Sequence, residues 1–258
     1  MSNLLKRRLL QGECLFGAWV ETGSATNVEI LSYQGFDFLV LDLEHGLGGL
    51  GEAVDMLRAA GERTPCIVRV PSNDAVFLKR ILDAGADSLM IPGVETAQEA
   101  AAAVAACRYP PRGRRGYAAP VVRASRYGAV ADYMASAHDE LLLVIQMESA
   151  AAVAQAAEIC AVDGVDVPFL GINDMAGTLG LLEQLDQPAV RALAQQAEAA
   201  MRASGKPYGT VASAGASWQD LVAAGHRLLP VANDVAMLRD TARNAVATFR
   251  AHMNGAAS

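Results

Sequence analysis

The sequence predicts an α/β fold, a single (β/α)₈ TIM barrel in which each of eight parallel strands is followed by a helix. Three observations predict it. Short apolar runs alternate with longer helical patterns along all 258 residues. The apolar residues are mainly Ala, Val and Leu, as expected for strands that are buried on both faces beneath alanine-rich helices. No linker or change in composition divides the chain, so we expect one domain over residues 1–258, with a helical carboxyl-terminal tail.

The predicted strands are short, and the segments between them are long enough for helices. In chain order the strands are Phe16–Val20, Phe38–Asp42, Cys66–Val70, Ser88–Pro92, Leu141–Met147, Pro168–Ile172, Tyr208–Val211 and Arg227–Val231. The clearest helices between them are Leu50–Ala60, Ala75–Ala84, Thr96–Cys107 and Pro188–Ser204. The helical tail, Asp234–Met253, is expected to pack outside the barrel or against another subunit.

An open, doubly wound sheet is the alternative arrangement of these elements. It would be favoured by a G-x-G-x-x-G turn after the first strand, which binds phosphate at the start of the next helix. The sequence there is AWVETGSATN and lacks this spacing. The closed barrel is therefore the preferred prediction.

The overall composition excludes several classes of protein. A net charge of −7 gives no support to nucleic-acid binding, which is normally accompanied by a basic face. Cys14, Cys66, Cys107 and Cys160 are scattered, fit neither a zinc site nor a disulfide framework, and are expected to be reduced. The first residues lack the apolar core of a signal peptide, and no apolar run is long enough to span a bilayer. We therefore expect a cytoplasmic protein.

The longest irregular stretch is Arg108–Gly128, with the sequence RYPPRGRRGYAAPVVRASRYG. Its prolines and glycines disfavour both helix and strand, and its basic cluster is unusual in an acidic protein. Two interpretations remain open. The stretch is either a solvated surface loop, or a lid or anion-binding wall at the carboxyl end of the fourth strand.

Polar side chains at the carboxyl ends of strands are the candidate site residues, because barrels place their working residues there. The second strand leads into Asp42, Glu44 and His45 in the segment LVLDLEHG. Asp42 and Glu44 are two residues apart and can face the same side. The neutral imidazole of His45 would suit a general base near neutral pH. The alternative is a cluster of charges that faces water.

Arg69 lies at the end of the third strand, between Val68 and Val70. A charged side chain in such an apolar setting needs a partner. In a binding site, Arg69 would grip a substrate carboxylate with a two-pronged hydrogen bond and stabilise a developing enolate. The alternative is a structural salt bridge inside the mouth of the barrel.

The fifth and sixth strands end in residues that could bind a metal ion. Gln146 and Glu148 point the same way, and Glu148 and Asp174 would stand on adjacent strands at the same end. Two carboxylates with water form a hard oxygen site suited to Mg²⁺ or Mn²⁺. Asn173 and Asp174 could also cap the next helix, whose N–H groups could bind a substrate carboxylate, and the cap alone is the alternative role for Asp174.

Other catalytic chemistries find little support. Schiff-base chemistry needs a lysine at the site, but Lys6, Lys79 and Lys206 are not at the carboxyl end of any predicted strand. The sequence contains no serine elbow and no cysteine–histidine arrangement for nucleophilic hydrolysis. The remaining histidines, at positions 138, 226 and 252, are expected to be structural or exposed.

Over most of its length the chain resembles the HpcH/HpaI aldolase family, specifically its metal-dependent 2-oxo-acid aldolases of the phosphoenolpyruvate/pyruvate type of barrel. The segments that carry the resemblance, in order, are FDFLVLDLEHG, CIVRVPSND, LKRILDAGADSLMIPGVETAQEA, PPRGRRGYAAPVVRASRYG, VIQMESAAAV and GVDVPFLGINDMAGTLG. Their order and spacing agree with the family.

The resemblance implies a role for each candidate residue. Glu148 and Asp174 resemble the ligands of a divalent cation (Mg²⁺, Mn²⁺ or Co²⁺), and His45 resembles a base that acts through metal-bound water. Arg69 resembles the residue that stabilises the enolate. The remaining implied roles are a substrate contact for Gln146, Gly171, Asn173 and Asp174, a neighbour that orients His45 for Asp42, and a residue that raises the basicity of the histidine in an adjacent subunit for Asp83. A homohexamer is implied as well.

The implied reaction is a carbon–carbon lyase reaction. A class II aldolase of this kind cleaves or forms 4-hydroxy-2-oxo acids, to or from pyruvate or a close 2-oxo acid and an aldehyde. Two alternatives keep the same site, namely an acyl-CoA lyase, in which Arg112–Arg126 would bind phosphate, and a 2-oxo-acid decarboxylase. A non-catalytic barrel that serves as a binding module is a third possibility, against which the set of polar strand-end residues argues.

The sequence departs from many relatives at two points. The sixth-strand motif G-P-x-D-L of relatives reads GINDM here, so Ile172 replaces a proline. Near the eighth strand, V-G-S-D of relatives is replaced by VAND, residues 231–234. We expect these changes to affect substrate fit more than the metal chemistry.

Overall fold

Eight parallel strands follow one another in chain order around a closed barrel, which confirms the predicted fold class. The computed structural model describes residues 3–213 and 216–255, so residues 1–2, 214–215 and 256–258 of the expected domain lie outside it. The strands are β1 Leu15–Val20, β2 Phe38–Asp42, β3 Cys66–Arg69, β4 Ser88–Ile91, β5 Leu142–Met147, β6 Val167–Leu170, β7 Gly209–Thr210 and β8 Leu228–Asn233.

Helices follow the strands and form the outer layer, apart from α1, which precedes β1. They are α1 Leu4–Leu10, α2 Ala25–Ser32, α3 Leu50–Ala60, α4 Ala75–Asp83, α5 Ala97–Cys107, α6 Tyr133–Ser136, α7 Ala150–Ala154, α8 Ala156–Ala161, α9 Ile172–Thr178, α10 Pro188–Ala203, α11 Trp218–Ala224 and α12 Asp234–Gly255. Two 3₁₀ turns, Ala119–Val121 and Arg123–Ser125, lie in the segment between α5 and α6.

Alternation along each strand separates an inner core from an outer one. The inner core fills the barrel with Leu15, Trp19, Phe38, Val40, Ile67, Met90, Leu142, Val144, Val167, Phe169 and Leu228, and α1 adds Leu5 and Leu9. The outer core lies between strands and helices and contains most of the buried Ala, Val and Leu side chains. Because the barrel interior is filled, a substrate can enter only above the top of this inner core.

The sixth strand is shorter than predicted. It ends at Leu170, and α9 begins at Ile172 with Gly171 in the N-cap position. The predicted cap at Asn173 or Asp174 is therefore wrong, since both residues lie within the first turn of α9. Gly171 cannot supply a side-chain cap, and the first N–H groups of the helix stay available for another acceptor.

The segment Arg108–Gly128 lies on a different face from the one expected for a lid. It follows α5 and not β4 directly, so it leaves the barrel at the amino-terminal ends of the strands. It packs beside the end of α4, where Arg115 binds Asp83 at 2.7 Å and Arg123 donates to the carbonyl of Ala84 at 3.0 Å. The interpretation as a lid over the site of the same chain is therefore wrong, because that site is at the opposite end of the barrel.

The last helix extends away from the barrel. Every residue from 241 to 254 in α12 is exposed, while its start, Asp234, is buried against the mouth. In the part of the chain that the structure describes, no helix has the length and apolar character needed to cross a membrane.

Candidate active site

A cavity of about 490 Å³ opens at the carboxyl ends of the strands, above the inner core. Its lining comes from strands β1, β2, β3, β5, β6, β7 and β8 or the loops that follow them. The lining residues are Trp19, Glu21, His45, Arg69, Gln146, Phe169, Gly171, Ile172, Asn173, Asp174, Val211, Ala212, Pro230, Val231, Ala232 and Asn233. The cavity thus brings together six residues selected from the sequence, at positions 45, 69, 146, 171, 173 and 174.

Arg69 is buried in the floor of the cavity and is held by two carboxylates. Its Nε and Nη2 donate to Asp42 at 2.9 and 2.6 Å, and its Nη1 lies 3.1 Å from Glu44. The guanidinium plane stacks on the ring of Trp19, with 4.4 Å between Cζ and the ring centroid. The two-pronged partner of Arg69 is therefore Asp42, and only the remaining N–H groups on Nη1 and Nη2 are available to a substrate oxygen.

His45 stands at the rim of the cavity, with its side chain 65% exposed. Its ring Nε2 is 3.9 Å from Glu44, and its backbone N–H donates to Asp42 at 3.3 Å. Asp42 therefore positions His45 through the backbone and not through the ring. The same carboxylate of Asp42 fixes both the loop that carries His45 and the side chain of Arg69.

Glu148 is a half-buried carboxylate among like charges. Burial raises its pKa to about 7, and the charges of Glu44 and Asp174 act in the same direction. The N–H of Gly93, at 2.6 Å, and the charge of Arg69 partly oppose this increase. Burial also raises the pKa of Glu44. Such a cluster stabilises a bound cation, because a cation removes the repulsion between the carboxylates.

The residues around Glu148 fit a hard divalent cation. Gln146 donates from Nε2 to Glu148, while its Oε1 is buried without a hydrogen-bond partner among the described residues. A Cβ at Gly171 would lie 2.7 Å from the Cβ and 2.8 Å from Oε2 of Glu148, so glycine keeps this space open. In residues 3–213 and 216–255 no group of three or more His, Cys, Asp and Glu could enclose a metal alone. Two carboxylates would therefore need water or substrate oxygens to complete the coordination.

The start of α9 faces the same cavity. Its first helical hydrogen bond runs from Met175 N–H to Gly171 C=O at 3.1 Å. The N–H groups of residues 172–174 therefore have no acceptor within the helix. Asn173 and Asp174 line the cavity. The backbone of these residues can donate to a carboxylate in the cavity, as proposed from the sequence.

The lysines lie away from the site. None of the three is among the lining residues of the cavity. Lys6 binds Asp166 at 3.0 Å, and Lys206 donates to the carbonyl oxygens of Val162 and Val165. These positions are outside the cavity, so a Schiff base with a substrate bound there is excluded.

Asp83 lies at the end of α4, near the amino-terminal ends of the strands, and binds Arg115. His45 is at the carboxyl-terminal end of the barrel. The structure therefore does not bring Asp83 to the site of its own chain. The role implied for Asp83 requires the site of another subunit.

Sequence reasoning missed Trp19, Glu21 and Asn233, which line the cavity. The signal for the first two was present in β1, where Leu15, Gly17 and Trp19 face the barrel interior and Glu21 follows on the same side. Asn233 ends β8 and was noted only as a departure from relatives.

Comparisons with known proteins identify the family of the chain. A family model described as HpcH/HpaI aldolase/citrate lyase matches residues 15–241. A hydroxypyruvate/pyruvate aldolase of Sagittula stellata is 40% identical over 241 residues, which cover 93% of this chain and 95% of the relative. A 2-keto-3-deoxy-L-rhamnonate aldolase of Escherichia coli is 34% identical over 256 residues, which cover 99% of this chain and 96% of the relative.

A solved structure gives the same result. The HpcH/HpaI aldolase/citrate lyase family protein of Burkholderia cenocepacia superposes with a TM-score of 0.92 at 36% identity, covering 96% of this chain and 100% of the other. Fold and site together define a barrel enzyme of the carbon–carbon lyase class. The chain belongs to the HpcH/HpaI aldolase/citrate lyase family, which confirms the resemblance noted in the sequence.

Proposed function

We propose that this protein is a class II pyruvate aldolase that cleaves or forms 4-hydroxy-2-oxo acids. The observation that carries the proposal is the cluster of Arg69, Glu148 and Asp174 at the carboxyl ends of β3, β5 and β6, with His45 at the rim. Relatives named as aldolases of pyruvate and of a 2-keto-3-deoxy acid support it. A cytoplasmic location stays a prediction from the sequence.

The residues of the chain divide the work between binding and proton transfer. Backbone N–H groups at the start of α9 donate to the substrate carboxylate, and Gln146 contacts the substrate beside it. In the cleavage direction, His45 accepts the proton of the 4-hydroxyl group, and the bond between carbons 3 and 4 breaks to release an aldehyde. The free N–H groups of Arg69 stabilise the negative oxygen of the pyruvate enolate, and protonation of carbon 3 then gives pyruvate.

Glu148 and Asp174 are the side chains that would hold the divalent cation, with Mg²⁺ or Mn²⁺ favoured by the oxygen ligands and Co²⁺ as a further candidate. When bound, such a cation would act as a Lewis acid that polarises the 2-oxo group.

The decisive experiment follows exchange of the pyruvate methyl protons in D₂O, which requires no knowledge of the aldehyde. Protein is stripped with a chelator and supplied with Mg²⁺ for NMR, or with Mn²⁺ for mass spectrometry because its paramagnetism broadens NMR signals. We expect exchange only with the cation, and a loss of about 100-fold or more in His45→Ala and Glu148→Gln. Absence of exchange with every cation would refute the proposal.

Two matched variants control for these substitutions. His252→Ala changes an exposed histidine in α12, and Glu158→Gln removes an exposed carboxylate from α8. Both should exchange pyruvate protons at the wild-type rate. If they lose activity as His45→Ala and Glu148→Gln do, the effect would not belong to the cavity.

The arrangement of Arg112–Arg126 weakens the acyl-CoA alternative. Arg112 pairs with Asp139, Arg115 with Asp83, and Arg126 with Glu62. This segment is at the opposite end of the barrel from the cavity, so it cannot bind a phosphate group near a substrate in the same chain. We therefore propose no CoA ligand.

We further propose that the protein assembles with copies of itself, with the hexamer of the family resemblance as the expected form. The first support is α12, which is about 33 Å long at 1.5 Å per residue. All of its residues from 241 to 254 are exposed. An apolar stripe runs along it through Leu238, Val246, Phe249 and Met253, which are all at least half exposed. A helix with this surface needs a partner.

The second support is the part of the barrel where a closing helix would be expected. Phe16 points outward from β1 and is 40% exposed, because α12 does not return over it. Phe16 stacks on Phe36 at 6.0 Å and meets the edge of Trp218, itself 45% exposed, at 6.3 Å. In the proposed assembly, the apolar stripe of α12 from one copy of the chain packs on this aromatic surface of another copy.

A further inference from the structure

Glu21 is a carboxylate on the cavity wall that the proposed reaction does not use. It follows β1 on the interior side, two residues after Trp19, and it is half-buried. Its backbone is fixed from two directions, because its N–H donates to Asp234 at 2.9 Å and its carbonyl accepts from Leu47 at 2.9 Å. The side chain therefore leaves a well-defined backbone position towards the cavity.

The carboxylate of Glu21 has no hydrogen bond or ion pair with any residue in 3–213 or 216–255. The basic groups of the cavity are engaged elsewhere, since Arg69 binds Asp42 and Glu44, and His45 lies 3.9 Å from Glu44. Glu21 is therefore a charged acceptor that faces whatever occupies this side of the cavity.

Glu21 lies across the barrel from the residues that would hold pyruvate. β1 and β5 are four strands apart in the closed barrel of eight, so Glu21 and Gln146 stand on opposite walls. The wall around Glu21 is completed by Val211, Ala232 and Asn233. The basic side chains of the cavity, His45 and Arg69, come from β2 and β3 and are held by the carboxylates of Glu44 and Asp42. An aldehyde that reacts with pyruvate bound near Gln146 must extend towards this wall.

We propose that Glu21 selects the aldehyde, by accepting a hydrogen bond from the hydroxyl group of a neutral hydroxylated aldehyde and repelling aldehydes that carry a carboxylate. This inference rests on the proposed pyruvate aldolase function. A divalent cation at Glu148 and Asp174 would offset the charge of those two groups and leave Glu21 negative. Repulsion by Glu21 therefore acts on an anionic aldehyde whether or not the cation is bound.

The test compares the rates of aldol formation from pyruvate and three aldehydes: glyceraldehyde, propanal and succinic semialdehyde. Glyceraldehyde and propanal have the same carbon chain with and without hydroxyl groups, and succinic semialdehyde carries a carboxylate. We expect wild-type kcat/KM for glyceraldehyde to exceed that for propanal about tenfold or more. Propanal has no hydroxyl group to donate to Glu21, so the carboxylate would be left without a partner. Succinic semialdehyde should have the lowest kcat/KM of the three. Its disadvantage should decrease at high salt, because salt screens the repulsion between its carboxylate and Glu21.

Two substitutions separate the hydrogen bond from the charge. Glu21→Ala should remove the preference for glyceraldehyde over propanal, with a relative loss of about tenfold. Glu21→Gln keeps a hydrogen-bond acceptor but removes the charge, so it should retain part of that preference and improve succinic semialdehyde severalfold. Glu158→Gln makes the same charge change outside the cavity and should leave the order of the three aldehydes unchanged.

Each aldehyde rate is divided by the rate at which the same variant exchanges pyruvate protons, so the two proposals can fail separately. If exchange occurs but Glu21→Ala lowers all three aldehydes by the same factor, or leaves the glyceraldehyde preference intact, the inference about Glu21 is wrong. If wild-type protein exchanges no pyruvate protons, the proposed function fails and the inference fails with it.

Discussion

At the scale of single residues, Arg69 depends on Asp42 for its orientation. Asp42 is fully buried and binds Nε and Nη2 of Arg69 while its Oδ1 also accepts the N–H groups of Glu44 and His45. One carboxylate thus fixes the cationic side chain on β3 and the loop after β2. Replacing it leaves a buried charge with a single remaining partner, Glu44.

We expect Asp42→Asn to lower the free energy of unfolding by about 3 kcal/mol, because removing one partner of a buried ion pair leaves the other charge uncompensated. Urea denaturation at neutral pH measures the change. The matched control is Asp55→Asn, whose side chain is 65% exposed and pairs with Arg58, and it should cost less than about 0.5 kcal/mol. Equal losses in the two variants would mean that the Arg69 pair has no special role in stability.

Glu148 makes the stability of the metal-free protein depend on pH. Burial raises its pKa from 4.5 to about 7, so the folded state holds this proton more tightly than the unfolded chain does. Its contribution to stability is fully present below pH 4.5 and is lost as the pH rises through about 7.

In chelator, Glu148→Gln should therefore unfold with a smaller pH dependence than wild type between about pH 5 and 8. At the upper end it should be the more stable protein, by on the order of 2 kcal/mol, since partial exposure reduces the full linkage value. Added Mg²⁺ should stabilise wild type and not the variant. Identical pH profiles for the two proteins would contradict the environment assigned to Glu148.

At the scale of elements, the glycine before α9 matters as much as the side chains of the site. Gly171 has a φ of −87°, which any residue can adopt, so its requirement is for space and not for backbone freedom. A methyl group there would meet both Glu148 and the amide of Gln146 within 3 Å.

Gly171→Ala should lower the affinity for Mg²⁺ about tenfold or more, because Glu148 must move away from its position next to β6. Isothermal titration calorimetry with the stripped protein measures this affinity. Gly51→Ala, where a Cβ meets no atom within 4 Å, should bind Mg²⁺ as wild type does. An unchanged affinity in Gly171→Ala would show that Glu148 is not a ligand or that the site relaxes freely.

The strands and most helices could be predicted because hydrophobic periodicity and breaking residues mark them strongly. Phe38–Asp42 was predicted to the residue, whereas the end of β6 was not. The segment GIN suits a strand end and a helix start equally, and the choice depends on packing against β5 and β7. Of the two interpretations of Arg108–Gly128, the lid is wrong because α5 returns the chain to the amino-terminal ends of the strands before this segment begins.

The candidate site was predictable where a single rule sufficed. The rule that barrel enzymes use carboxyl ends of strands selected His45, Gln146 and Asp174. It could not show that Asp42 occupies the fork of Arg69, because that contact joins side chains of two strands. It also passed over Glu21, which lies beyond the last apolar residue of β1 and is recognisable only from the alternation of that strand.

At the scale of the whole molecule, the proposed assembly rests on α12. Leu238, Val246, Phe249 and Met253 share one face of the helix, and Asn244 lies roughly on the opposite face. We expect Phe249→Glu to shift the protein from oligomer to monomer in light scattering, because a charge replaces an apolar contact in the interface. Asn244→Glu should remain an oligomer. A wild-type monomer, or the same mass for both variants, would contradict the assembly.

The position of Asp83 gives a second test of assembly that reports on the site itself. Asp83 is at the opposite end of the barrel from His45, so it can act on that histidine only in another subunit. His45→Ala and Asp83→Asn should each be nearly inactive when pure. Mixed oligomers, made by unfolding and refolding the two variants together, should regain activity, because about a quarter of the sites would combine an intact His45 with an intact neighbouring Asp83.

Mixing the folded proteins without exchange of subunits is the control and should restore nothing. Refolded mixtures with the average activity of the two parents would show that each chain works alone, and Asp83 would then be a structural partner of Arg115.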